Sequence, residues 1–534
     1  MVSSSFLLAL ATGCSLAAAQ TFTNPIIWQD LADLELIRVN DTFYYTASTM
    51  HYSPGAPVLR SYNLYEWEMI GHSVPELTFG DKYNLHGSGR AYVNGIWASS
   101  MAYRESNGLY YWYGCIDFAT TYIFTASDPA GPWEQQPSIQ ECYYDVGVLV
   151  DEDDTMYLAS GKYDIAVTQL SEDGFSPVRT ELVWQDSERY LEGARFYNIN
   201  GRYYIWLTKP ADEQHVLIAE APFGTYQTHS VLERMGSPIP SSGTTHQGSL
   251  IDTPNGDWYY TAFLDAYPLG RIPVLAPITF DDQGVPTVVT DANGAWASSY
   301  PVPGIQTDKS VTPIGPYTTN FDSAPLGAEW EWNHNPDNSA WDIGGGLTLR
   351  TATVTTDLYA ARNTLSHRIV GPKSSATIRL NLAGMGSGDI AGIALLRDES
   401  AYLGVRKASD GSLTLQAVYD ITMVEQDGAW QTTSEGNVVA SLTSGLEGVA
   451  SGDADIWLRL TADATPTFGV DNAGRNPAIF EWSTDGESWS QLGEIHNLHN
   501  RWQFFMAFRF AIFNFATEAL GGEALVKEFS LQLA

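Results

Sequence analysis

The chain has 534 residues, a formal net charge of −35 and 44% apolar residues. That length supports two or three domains, and the apolar content rules out a disordered chain. The negative charge excludes nucleic acid and anionic membrane surfaces as partners, because both repel it, whereas a neutral polymer is easier to approach.

Residues 1–19 read as a signal peptide. Residues 6–11 are a short apolar run, and Ala17, Ala18 and Ala19 precede an expected cut before Gln20. No later stretch has the length and apolar purity of a membrane span, so an exported, extracellular protein is expected. Cys14 leaves with the signal. Cys115 and Cys142 then form an even pair that an oxidising compartment can bridge. Asn40-Asp41-Thr42 is the one N-glycosylation sequon.

A short pattern recurs through the first half: a turn of Gly, Asn or Asp, then paired aromatics, then a β-type run. It appears as RVNDTFYYTAST (38–49), RESNGLYYWYGC (104–115), VDEDDTMYLASG (150–161), YNINGRYYIWLT (197–208) and DTPNGDWYYTAFLD (252–265). Each copy reads as a hairpin entered through a tight turn. Tyr44, Tyr110, Tyr157, Tyr203 and Tyr259 mark a period of one supersecondary unit. Five such units predict a five-bladed β-propeller over residues 20–300.

In a propeller the innermost strand of each blade lines the axis, so equivalent repeat positions surround one pocket. Stepping back about one strand and its turn from each key tyrosine gives Asp33, the Trp97-Ala98 region, Asp145, Glu192, and His246-Gln247. Three carboxylates around one cavity suit glycosidic cleavage. That reaction needs a proton donor at the leaving oxygen and a carboxylate opposite, with burial or a nearby charge keeping the donor protonated.

Residues 301–318 are rich in Pro, Gly and Thr and read as a linker. Alternating strands follow over 319–534, among them SATIRLNL, IAGIALL, DIWLRLTA, FFMAFRFAIF and ALVKEFSLQL. They predict a β-sandwich. The whole chain is thus expected to be all-β. DEDD (151–154) lacks the spaced ligands of a calcium loop and reads as a hairpin turn.

These segments resemble glycoside hydrolase family 43, over roughly residues 23–300. NPIIWQDLADLELIRVNDTFYY resembles the opening blade, in which Asp33 falls on the general base. YYDVGVLVDEDDTMYL places Asp145 at the pKa-modulating Asp, and LEGARFYNINGRYYIWLT places Glu192 at the general acid. GIWASSMAY puts Trp97 in the sugar-pocket wall. THQGSLIDTPNGDWYY puts His246 at the axial His, and YPLGRIPVLAPITFDDQGVP puts Arg271 at the active-site Arg. His246 has two readings: a polar post at the pocket base, or an indirect ligand of an axial calcium seen in some relatives.

The resemblance implies an inverting single displacement with base and acid about 6.5–9.5 Å apart. It also implies a plant cell-wall polysaccharide as substrate; a monomer without cofactor or metal is expected. The segment STMHYSPGAPVLRSYNLYEWE (48–68) and WEWNHNPDN (330–338) are similar to fungal α-L-arabinofuranosidase members with an appended sandwich. Release of arabinofuranosyl side groups from arabinoxylan or arabinan is therefore expected. A β-xylosidase of the same family and a non-catalytic carbohydrate-binding propeller are the alternatives.

Overall fold

The computed structural model describes residues 20–87, 89–471 and 473–534; the signal-peptide reading of 1–19 lies outside them. Five four-stranded antiparallel sheets follow one another along the first half. Blade 1 is Glu35–Val39, Thr42–Thr46, Gly55–Ser61 and Glu68–Val74, and blade 2 is Ser99–Arg104, Leu109–Ile116, Thr120–Ala126 and Glu134–Gln135. Blade 3 starts at Gly147–Val150, blade 4 at Glu192–Ile199 and blade 5 at His246–Asp252, the last ending with Pro286–Val288.

Each first strand touches the first strands of both neighbouring blades, so the five close a ring around one axis. The repeat tyrosines sit on the second strands. Ile37 pairs with Tyr44, Tyr103 with Tyr110, Leu149 with Tyr157, Asn198 with Tyr203 and Ile251 with Tyr259. That common register explains why counting back from them finds axial positions.

Packing between blades uses the residues that the alternating pattern points inward. Trp112, Trp206 and Trp296 are fully buried. The ring is fastened by a clasp outside the blades: Thr21–Thr23 pairs with Ser299–Pro301. Asn24 seals it by exchanging hydrogen bonds with the Leu275 backbone, at 3.0 and 2.8 Å. Cys115 and Cys142 are disulfide-bonded, with Cα atoms 5.0 Å apart.

None of residues 302–316 lies in a strand. The remainder forms a nine-stranded and an eight-stranded sheet packed as a sandwich, with Ile378, Leu395, Leu458 and Phe529 in its core. Lys373–Asn381 shows why: after exposed Lys373 its residues alternate buried and half-buried along the strand, as a face packed on a core requires.

Two features depart from the sequence reading. The run FFMAFRFAIF was expected to be one strand, but the strand begins only at Arg509. Before it, Phe505 has φ 60° and its N–H bonds Trp502 O at 2.7 Å, making a tight turn. Buried Arg397 holds that turn by donating to Met506 O and Arg501 O, both at 2.6 Å. Second, Tyr52–Ser53, from the propeller half, is the eighth strand of the sandwich sheet, pairing with Asn333 and Trp332.

Candidate active site

A cavity of about 560 Å³ opens at the axis, and Asp33, Trp97, Asp145, Glu192, His246 and Arg271 all line it. That size lies in the usual range for a small-molecule pocket. The structure therefore brings together every site residue expected from the sequence.

The acids are set by unusual backbone. Asp33 has φ 57°, Asp145 φ 49° and Gln247 φ 53°. Left-handed geometry is uncommon outside glycine, and it concentrates where the fold forces a side chain into a site. Here it turns the chain just before, or within, the first strands of blades 1, 3 and 5. Gly193, beside Glu192, has φ 69°, and a Cβ there would meet Gln247 Cγ at 2.9 Å. A glycine is thus needed where blade 4 passes blade 5.

The Arg271 guanidinium donates to Asp33 Oδ1 at 2.9 Å. Asp33 Oδ2 is buried and finds no hydrogen-bond partner among the described residues. Asp145 Oδ2 accepts the Gly193 N–H at 3.1 Å, tying blade 3 to the residue after Glu192. Tyr144 and Tyr190 both donate to Glu192 Oε2, at 2.9 and 2.6 Å, which leaves Oε1 unengaged by either hydroxyl.

Electrostatics separate the acids. Burial, then the charges of Glu192 and Asp33, hold Asp145 well above the usual carboxylate range. Burial also pushes Glu192 up, outweighing the two tyrosine donors that favour its ionised form. His246 is pushed down by burial, and its Nδ1 sits 2.9 Å from Thr244 O, so it is a neutral imidazole near pH 7. Among the described residues no three His, Cys, Asp or Glu side chains converge as a metal site.

The far wall comes from the sandwich. Phe468, Trp502 and Phe505 line the cavity, and Phe505 meets Trp97 edge to face with centroids 5.0 Å apart. Phe505 O accepts from Arg271 Nε at 3.2 Å. Behind this wall the Asp30 carboxylate takes the Arg271 N–H at 2.8 Å and the Ala507 N–H at 2.9 Å, clipping blade 5 to the sandwich turn. Reading the sequence missed these residues and the two tyrosines. Tyr144 directly precedes Asp145 and Tyr190 lies two before Glu192, a local cue; the sandwich residues carry none.

A pocket with aromatic walls and three carboxyls can protonate a leaving oxygen and deprotonate a water on opposite sides of a bound sugar. Residues 22–286 match the model of glycosyl hydrolases family 43, and residues 318–532 match that of the β-xylosidase C-terminal concanavalin A-like domain. Among curated relatives, a β-xylosidase of Formosa agariphila is 28% identical, with 89% of this chain and 84% of that protein covered. A non-reducing end α-L-arabinofuranosidase of Bacteroides ovatus is 26% identical, with 87% and 94% covered. One solved structure comes from work in which engineering the active site of a family 43 glycoside hydrolase generated an enzyme with both endo-xylanase and exo-arabinofuranosidase activity. It is 44% identical, with a TM-score of 0.92, covering 96% of this chain and 100% of that one. A five-bladed propeller with its acids on the axis, joined to this sandwich and matched over 96% of its length, makes the chain a member of glycosyl hydrolases family 43.

Proposed function

We propose that the protein is an exported, inverting α-L-arabinofuranosidase that removes arabinofuranosyl groups from arabinoxylan or arabinan. Asp33, anchored through Oδ1 by Arg271, uses its unpartnered Oδ2 to take a proton from the attacking water. Glu192, kept protonated by burial, gives its proton to the departing oxygen. Asp145 holds the Gly193 backbone next to that acid, and the Asp33 charge opposes ionisation of Glu192. Trp97, His246 and Arg271 line the pocket that receives the sugar.

The observation that carries the reaction type is the pairing of a carboxyl pushed up by burial with a second one anchored by a guanidinium across one cavity. Arabinose as the sugar draws its support from the 44% identical structure, whose engineered enzyme includes exo-arabinofuranosidase activity. The β-xylosidase relative favours xylose as the second reading. Export is supported by residues 1–19 and by the Cys115–Cys142 bridge, which suits an oxidising compartment.

Product analysis on arabinoxylan, debranched arabinan and xylo-oligosaccharides separates the two sugars: arabinose release is expected, and xylose alone overturns the proposal. Proton NMR of the first product formed should show the anomer opposite to that of the substrate. Glu192→Ala and Asp33→Ala should each remove several orders of magnitude of turnover on the polymer, as loss of an acid or base does.

A further inference from the structure

Beneath the pocket, on the propeller axis, lies a second polar network whose residues do not line the cavity. Its centre is Arg195, which is fully buried. Arg195 follows Glu192 by three residues on the first strand of blade 4, and the strand register shifts between them. Three residues along a regular strand would put the two side chains on opposite faces. The bulge lets both face the axis, one above the other. Blade 5 repeats the device: the register shifts between His246, which lines the pocket, and Ser249.

The Arg195 guanidinium binds the backbone beside each of the three acids. Nη2 donates to Asp33 O at 2.9 Å and to Leu34 O at 2.8 Å, and Nε to Leu34 O at 3.1 Å. Nη1 reaches Val146 O, next to Asp145, at 3.3 Å and Ala194 O, two residues after Glu192, at 2.7 Å. Glu35 Oε2 lies 2.8 Å from Arg195 Nε. Glu35 in turn accepts from Ser100 Oγ of blade 2 at 2.9 Å and Ser249 Oγ of blade 5 at 3.0 Å. Those serines accept the Val148 and Leu36 N–H groups, each at 3.1 Å.

One ion pair and two hydroxyls thus join the first strands of all five blades. Arg suits this place because its planar fork satisfies several carbonyls at once in fixed directions, which a lysine cannot do. Close packing agrees: a Cβ on Gly147 would meet Arg195 Cα at 2.6 Å.

We propose that Arg195, held by Glu35, is a positioning residue for hydrolysis. It fixes the backbones that carry Asp33, Asp145 and Glu192 so that base and acid keep the separation a water-mediated displacement needs. The proposal rests on the roles assigned above to those three acids. Its loss therefore falls on turnover and not on sugar binding.

The test is steady-state kinetics of Arg195→Lys, Arg195→Met and Glu35→Gln in the full chain, with folding followed by circular dichroism and thermal melting. The conservative variants should melt cooperatively, keep KM within about threefold and lose about 100-fold in kcat, the usual scale for misplacing a catalytic group by about 1 Å. A second readout uses 4-nitrophenyl α-L-arabinofuranoside, whose leaving group departs without a proton. Glu192→Ala should spare this substrate relative to the polymer. The Arg195 variants should lose on both alike, because Asp33 is displaced together with Glu192. Arg195→Lys and Glu35→Gln that retain kcat within about twofold, that lose it only in proportion to the folded fraction, or that fail to fold at all would reduce the network to a structural role and overturn the inference. Full turnover by Glu192→Ala and Asp33→Ala would instead sink the assigned acid and base.

Discussion

Asp30 offers the sharpest test of the union between propeller and sandwich. Its carboxylate is buried and accepts two backbone N–H groups, from Arg271 on blade 5 and from Ala507 after the sandwich turn. Asp30→Ala leaves both donors buried without a partner. Each costs about 1–3 kcal/mol, so the loss is about 4 kcal/mol. For domains of this size about 1 kcal/mol moves Tm by about 2–4 °C, which predicts a fall of about 8–16 °C. Asp30→Asn keeps one acceptor and should lose about half as much. Because the same turn presents Phe505 to the pocket and its carbonyl to Arg271, KM should rise in Asp30→Ala. That rise should largely vanish when Phe505→Ala is already present, as non-additivity between coupled sites requires. Scanning calorimetry and initial rates on arabinoxylan give both quantities. A melting temperature within about 2 °C of the parent, or a KM effect that persists in the Phe505→Ala background, would refute the clip.

Three further outcomes follow from the same site. Asp145 titrates well above its ordinary value of 3.8 in the fold, through burial and then the Glu192 and Asp33 charges. The unfolded chain therefore ionises first, and the native state loses stability as pH rises from about 4 through the raised native value. Asp145→Asn should then melt higher than the parent at pH 7 while losing turnover, with the thermal gain disappearing below about pH 4. Tyr144→Phe and Tyr190→Phe each remove a donor that favours ionised Glu192, so the alkaline limb of the kcat/KM profile should move to higher pH and move furthest in the double variant; a downward move contradicts the assignment. Replacing Cys115 and Cys142 by serine opens a loop of sequence separation 27 and should cost about 3–4 kcal/mol in urea unfolding.

The acids were readable because the propeller repeats: Asp33, Asp145 and Glu192 precede tyrosines that share one register on the second strands. The same count reached Trp97 and His246, Arg271 came from the family resemblance, and all three line the cavity. What stayed hidden was long-range. Phe505 reaches Arg271 across 234 residues, and Asp30 reaches Ala507 across 477; neither leaves a periodic trace. The segment holding Phe505 even mimics a strand, because apolar runs read alike whether they form a ladder or a turn held by a buried arginine. Arg195 was equally silent, since a bulge places it on the axis against the ordinary alternation of the strand.

The strand that Tyr52 and Ser53 contribute to the sandwich has a consequence for how such proteins can be rebuilt. Arg509 stacks on the Tyr52 ring at 3.4 Å, and His72 of blade 1 meets Glu331 at 3.0 Å. Cutting at residues 302–316 and grafting on another carbohydrate module would strip the propeller of the ladder partner for its own loop and leave His72 without the carboxylate it faces. A working chimera would have to transplant residues 50–53 and 72 along with the module, so the two halves are inherited as one unit even though the chain visits them in turn.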